Sequence, residues 1–306
     1  MLKFLYYYVR SMRLYYGFVT ATTIMAGLCL AHFANDEPFC PMTMQEITMM
    51  ALGFLVWGAN QIFSDWCDRK EDAINAPRRP MVTGALAPRP AFALSALILI
   101  AIACVSAWIS IWTIPFLVMG GALNIAYSRL KKVPVLNCLV YAAAISCCAL
   151  YAVAGDMDRC PSWGFVLATV VLVLPAHFLM CHNSYYKDIE GDRVAGVRTL
   201  QTLFPSVVAK AVTLLLSLLA VVMSCIMAFG IGEPYWLFSQ PLVVGVLAAA
   251  HFICIQKRRY HAATCLNCQL CVASLHTFLF PDAWALEIAS LVAIQLIFLW
   301  YNDEKE

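Results

Sequence analysis

Long apolar runs alternate along this chain with short polar loops, most of them basic. A helix that crosses a bilayer needs about 20 mostly apolar residues. The pattern predicts nine such helices, at about 12–33, 45–65, 91–111, 112–128, 135–155, 163–186, 206–230, 236–256 and 282–302. The third and fourth are joined tightly around Trp112. Residues 257–281 fit no full span; they read as a short interfacial helix or as part of a longer final hairpin. The expected fold is an all-α membrane protein, with about nine transmembrane helices around a central cavity. It forms one polytopic domain over 1–306, built as two four-helix halves, about 12–155 and 163–281, plus a final helix at about 282–302.

Composition agrees. The chain is 62% hydrophobic and 12% charged, with a mean hydropathy of +0.77. A soluble domain cannot hide that much apolar surface. With the N-terminus placed inside, Arg159 and Lys305 alone among the 20 lysines and arginines fall outside. This bias predicts a cytoplasmic N-terminus and cytoplasmic acidic loops. The basic, aromatic N-terminus runs into the first span with no small-residue cleavage site. It reads as an interfacial segment, with Tyr6, Tyr7, Tyr8, Tyr15 and Tyr16 at headgroup level. A net charge of +2 says little about partners, and no nucleic acid is expected among them.

Two acidic stretches break the apolar pattern, each closing a predicted span. Residues 64–80 read SDWCDRKEDAINAPRRP, and residues 183–200 read NSYYKDIEGDRVAGVRTL. On a helix, Asp68 and Asp72 share a face as i and i+4, Asp65 lies one turn earlier, and Asp188 and Asp192 repeat the spacing. Carboxylates on one face repel unless a cation sits between them. A hard cation such as Mg²⁺ takes oxygen ligands and shares its remaining sites with phosphate. The two stretches read as two halves of one site, four spans apart and hence on the same membrane side. Arginines and lysines in the same loops suit a metal-bound diphosphate. An apolar tail on that diphosphate would lie in the bundle. Metal and bases would stabilise the departing charge of an allylic diphosphate, and aromatic walls would face the carbocation.

The stretch SDWCDRKEDAINAPRRPMVTGAL resembles the first aspartate-rich motif of the UbiA superfamily of intramembrane prenyltransferases, NDxxDxxxD followed by an AINRPxRPxxSG-like run. KDIEGDRVAGVRTL is similar to the second motif, and YSRLKKVP from Tyr127 to the tyrosine and lysine-rich loop after the fourth helix. The resemblance covers nearly the whole chain. It implies nine helices in an isoprenoid-synthase-like layout, a lateral opening to lipid, and Mg²⁺-dependent prenyl transfer from an isoprenyl diphosphate to an aromatic or lipid acceptor. Carried over, Asp65, Asp68 and Asp72 would hold one Mg²⁺, and Asp188 and Asp192 a second. Arg69 and Lys131 or Lys132 would contact diphosphate, with Arg13 a candidate on position alone. The family's leading Asn is Ser64 here; its hydroxyl still suits metal or phosphate, and Asn60 lies one turn earlier.

Other residues carry competing readings. Asn183, one turn before Lys187, either orients diphosphate or acceptor or simply packs. His182 is a base toward an acceptor or a packed histidine, and His177 flanks it. Trp57, Tyr127, Tyr141, Tyr185 and Tyr186 either line a cation pocket or fill the core. Glu71 and Glu190 point away from the shared face, and Arg78 and Arg79 serve lipid headgroups or substrate. Cys265, Cys268 and Cys271 form a CxxCxxC that lacks a fourth ligand, so small packed thiols are expected. Cys40 and Cys160 lie where one external disulfide is open to them. The same superfamily includes terpene cyclases, in which the cation closes on its own chain, and the motifs do not separate the two activities. An ion-coupled carrier is a third reading, set against acids that lie at the boundary rather than mid-membrane.

Overall fold

The computed structural model describes residues 2–69, 72–73, 76–231, 234–276 and 284–302, and these hold helices and turns with no strand. Lys70, Glu71 and Lys305 fall outside them. The helices are α1 (Leu2–Ser11), α2 (Gly17–Asn35), α3 (Met44–Cys67), α4 (Pro88–Ile109), α5 (Ile114–Leu130), α6 (Leu136–Asp156), α7 (Trp163–Leu172), α8 (Leu174–Ser184), α9 (Ile189–Ala195), α10 (Leu200–Leu203), α11 (Ser206–Ile231), α12 (Pro234–Gln256), α13 (Tyr260–His276) and α14 (Trp284–Asn302). Among the described residues, 7 segments are long and apolar enough to cross a membrane: α2, α3, α4, α5 with its preceding turn, α6, α7 with α8, and α11.

Most predicted spans appear within a few residues. The first starts at Gly17 rather than 12, because the chain leaves helix at Arg13, whose φ of 47° is left-handed. That turn also redirects the aromatic N-terminus. Tyr6 is exposed as expected, but Tyr8 is buried, with its hydroxyl 2.7 Å from Ser95 Oγ on α4. The sixth span is two helices broken at Val173; Pro175 in the first turn of α8 has no N–H to continue α7. Residues 260–276 are not an interfacial helix. α13 buries Cys265, Cys268, Leu270 and Cys271, and packs on α12, α8, α2 and α14. Gln269 Nε2 donates to Gln295 Oε1 of α14 at 2.7 Å. The final-hairpin alternative is the one realised. All 14 cysteines are free, so Cys40 and Cys160 form no disulfide.

The central pair is α2 and α6, both mostly buried. Their seam is small: Ala26, Gly27, Ala149 and Ala152, with Val19 and Ile145 beside it. A Cβ on Gly27 would strike the Ala149 backbone. Such small residues let helix backbones approach closely where lipid gives no hydrophobic drive to association. α3, α4 and α5 wrap one side of this pair and α8 the other, with α11 to α13 behind α8.

Gly27→Val should therefore force α2 from α6 and destabilise the folded protein by about 1–3 kcal/mol, as overpacking does elsewhere. Thermal unfolding in detergent checks this. Gly245→Ala, whose Cβ meets nothing within 4 Å, is the control expected to melt as wild type or higher.

Candidate active site

The first acidic stretch keeps helical register past the end of α3. Asp72 N donates to Asp68 O at 2.8 Å and Ala76 N to Asp72 O at 2.8 Å, so Asp68 and Asp72 stay on one face. In the second stretch Asp188 caps α9, and Asp192 N donates to Asp188 O at 2.8 Å. Asp68, Asp72, Asp188 and Asp192 all line one cavity of about 510 Å³.

Bases hold these acids in balance. Lys131 Nζ pairs with Asp68, and Arg79 with Asp72. The Lys131 ammonium also favours the charged form of Asp192, so its field reaches both clusters. Asp65 lies behind the cavity wall, 2% exposed. It accepts from Arg13 at 2.8 Å and from Gln61 Nε2 at 3.1 Å, and Arg79 lies 3.6 Å away. Its surroundings are those of a strut that fixes two arginines.

One oxygen in each cluster is left over. Asp72 Oδ2 and Asp192 Oδ2 are buried without a hydrogen-bond partner. Burial raises both carboxyls above their ordinary range; Arg79 opposes this at Asp72, while Asp188 reinforces it at Asp192, pushed up to about 7. Unsatisfied carboxylate oxygens on two facing segments are what an oxygen-seeking cation needs.

Other sequence-predicted residues divide clearly. Arg13, Asn60, Ser64, Lys131, Lys132 and Lys187 line the cavity, as do the aromatics Trp57, Tyr127, Tyr141 and Tyr185. Tyr127 and Tyr185 are joined across it, hydroxyl to hydroxyl, at 3.0 Å. Others are elsewhere. Arg69 is exposed, its guanidinium 5.1 Å from the Trp66 ring and Nε donating to Trp66 O at 2.9 Å. Asn183 is buried on the side of α8 away from the cavity, donating to Asn267 Oδ1 at 3.0 Å and lying 3.0 Å from His251 Nε2. Tyr186 packs on Tyr260 and bonds Thr213. His182 is also packed, Nε2 at 3.1 Å from Ala209 O, and His177 sits 2.8 Å from Thr23 Oγ1. Glu190 is exposed.

Further residues complete the wall. Arg79, read from sequence as serving headgroups or substrate, joins the basic rim, and Tyr16, expected at headgroup level, lines a side. Arg129, Gln61, Asn124 and Ser128, not singled out from sequence, fill the rest. Helix rise places Leu52 about 24 Å below Asp68, and Phe116 about 22 Å below Lys131. The deep wall there is Ile24, Leu52, Ile102, Phe116 and Tyr151. Tyr151 is fixed by a 2.8 Å hydrogen bond to Ser106. Among the described residues every lining side chain falls between Arg13 and Val197, so α11 to α14 buttress the cavity from behind.

Known proteins share this fold. The model of the UbiA prenyltransferase family matches residues 19–274. The bacteriochlorophyll synthase 33 kDa chain of Rhodobacter capsulatus is 29% identical over 219 residues, 69% of this chain and 71% of that protein. Digeranylgeranylglyceryl phosphate synthase of Methanopyrus kandleri is 27% identical over 203 residues, 63% of this chain and 70% of that one. The apo structure of a UbiA homolog from Aeropyrum pernix K1 superposes with a TM-score of 0.69 at 19% identity, over 86% of this chain and 96% of that one. A UbiA homolog from Archaeoglobus fulgidus bound to GPP and Mg²⁺ gives 0.62 at 15% identity, over 89% and 99%.

The raised Asp192 carboxyl has a consequence for stability. Its folded pKa of about 7 exceeds the unfolded carboxylate value, so the folded protein holds a proton that the unfolded chain releases. Stability should fall as pH rises from about 4 to about 7, by at most a few kcal/mol. Melting curves with chelator present should show this loss, and Asp192→Asn should flatten it.

Proposed function

The chain belongs to the UbiA prenyltransferase family, and on that premise we propose that it ionises an isoprenyl diphosphate with Mg²⁺ and transfers the prenyl group to an aromatic or lipid acceptor. It is an integral, multi-pass membrane protein. The observation that carries the proposal is the pair of unpartnered oxygens, Asp72 Oδ2 and Asp192 Oδ2, at the mouth of a cavity rimmed by bases. Its relatives include a bacteriochlorophyll synthase chain and a digeranylgeranylglyceryl phosphate synthase, and UbiA homologs of the same fold have been solved with GPP or DMAPP and Mg²⁺.

Asp68 and Asp72 would hold one Mg²⁺, and Asp188 and Asp192 a second, with Ser64 beside the first. The ions supply charge neutralisation for the diphosphate and its leaving oxygen. With Asp68 and Asp72 given over to Mg²⁺, Lys131 and Arg79, which pair with them here, would be free to contact phosphate oxygens. Asp65, already paired with Arg13 and close to Arg79, keeps both aimed at the cavity. Arg13, Lys132 and Lys187 complete the basic ring. The C–O bond to the diphosphate breaks, and the electron pair leaves with the diphosphate. Tyr127, Tyr141, Tyr185 and Trp57 face the allylic cation with π electrons and exclude water. The acceptor nucleophile adds to the cation, and its proton passes to the departing diphosphate. The apolar shaft below the carboxylates takes the prenyl tail. The excess of positive charge in alternate loops supports a cytoplasmic mouth.

Cyclisation without an acceptor would use the same carboxylates and the same aromatic wall. Transfer is favoured by two amides, Asn60 and Asn124. Both line the cavity about 11 Å below the carboxylate level, reckoned by helix rise, and neither side chain is hydrogen-bonded among the described residues. Uncommitted amides in a membrane-level cavity suit the polar group of a second substrate.

Two outcomes are expected. Asp68→Ala and Asp188→Ala should each abolish Mg²⁺-dependent diphosphate release while the protein stays folded and inserted; wild-type activity in either removes the two-cluster reading. Wild-type protein given Mg²⁺ and geranylgeranyl diphosphate without acceptor should yield no cyclic product by mass spectrometry. A cyclic hydrocarbon or alcohol would make it a cyclase.

A further inference from the structure

A second group of ligating side chains lies at the other end of the bundle. His32 is in the last turn of α2, Glu46 in the first turn of α3, and Asp156 ends α6. Their ligand atoms all lie within 4.8 Å of one another, and they are the one such set among the described residues. Glu46 and Asp68 are separated by about 33 Å of helix, so this group is independent of the aspartate motifs.

The histidine is oriented for ligation. His32 Nδ1 lies 2.9 Å from the Pro38 carbonyl and donates to it, which leaves Nε2 facing the acids. A backbone carbonyl on the far ring nitrogen is how metal-ligating histidines are commonly fixed. Nε2 is 2.5 Å from Glu46 Oε1 and 3.9 Å from Asp156 Oδ1. A tetrahedral Zn²⁺ with bonds near 2.0–2.1 Å sets ligand edges of about 3.3 Å. The two separations straddle that value, so a small outward swing of Glu46 and a small inward swing of the half-buried Asp156 would bring both to it. Glu46 Oε2 stays anchored by the Thr43 N–H in the capping box of α3, so the swing pivots about a fixed oxygen.

Charge points the same way. Glu46 is 1% exposed and His32 8%. Even a protonated His32 balances only one of the two carboxylates, and Glu37 adds its charge against Asp156. A divalent cation neutralises both acids while leaving the imidazole neutral. One nitrogen and two carboxylate oxygens suit Zn²⁺ or Mn²⁺ better than Mg²⁺, which prefers an octahedron of oxygens.

We propose that His32, Glu46 and Asp156 form a structural divalent-cation site, of the Zn²⁺ class, that ties α2, α3 and α6 together at the membrane face opposite the aspartate motifs. Those helices carry Arg13's neighbour turn, the first acidic stretch and the tyrosine wall, so the site would fix the cavity's frame from its far end.

The test is metal content and Zn²⁺ titration of purified full-length protein, stripped with chelator and returned to Mg²⁺ buffer. Wild type and Asp188→Ala should each bind one Zn²⁺ per chain, measured by elemental analysis after gel filtration. Asp156→Asn and His32→Gln should lose it. Asp156→Asn is the milder change, because Asp156 is half-buried and its nearest partner is 3.9 Å away. A zinc-selective chelator that spares Mg²⁺ should lower the melting temperature of wild type and leave Asp156→Asn unmoved. Co²⁺ in place of Zn²⁺ should give tetrahedral d–d absorption in wild type alone. Substoichiometric Zn²⁺ in wild type overturns the proposal, as does Zn²⁺ retained by Asp156→Asn and His32→Gln but lost in Asp188→Ala. Absence of Zn²⁺ with a melting temperature that still drops in His32→Gln would leave an ordinary ion pair in its place.

Discussion

Carboxylates cannot be crowded at a membrane boundary without compensation, and the structure is arranged around that constraint. Four aspartates on two separated segments face one cavity, and each added negative charge makes the next harder to ionise. Lys131 and Arg79 neutralise part of this charge directly, and Asp65 holds Arg13 and stands near Arg79. Two oxygens remain unmatched. The resulting site is strained toward any ligand that brings cations in and takes the bases away. A metal-bound diphosphate would do both at once.

The rest of the fold supplies position. Backbone bonds carry α3's register on through Asp72, and α9 starts on Asp188. The close α2–α6 seam fixes the cavity's inner wall, and the break at Val173 lets α8 approach it with its own face. None of the described residues of α11 to α14 lines the cavity, yet α13 presses on both α8 and α2. Rigidity behind the wall keeps facing carboxylates in place, because a site set on packed helices is held more tightly than one on loops.

Much of this was legible in the sequence, for identifiable reasons. Hydrophobic runs of spanning length show up without tertiary context, and i, i+4 spacing fixes which acids share a face. The motif resemblance placed Lys131 and Lys132 at the cavity, and position alone placed Arg13 there. What sequence left open or misplaced depends on tertiary geometry. Arg69 and Arg79 flank the same acids in the same stretch, but Arg69 stacks outward on Trp66 while the turn after Ala76 brings Arg79 back over Asp72. Asn183 belongs to an apolar helix and could face either way; a buried network with Asn267 and Thr213 claims it. α13 carries Asn267, Gln269 and three cysteines, a composition too polar to read as a span, yet those groups are satisfied by neighbouring helices.

The most direct test of the central claim is binding of a non-ionisable prenyl thiolodiphosphate to purified protein, by calorimetry with and without Mg²⁺. Facing carboxylate clusters that share a metal-bound diphosphate require binding to depend on Mg²⁺, and to be lost in both Asp72→Asn and Asp192→Asn. Binding of equal strength without Mg²⁺, or unchanged in either variant, would contradict the account.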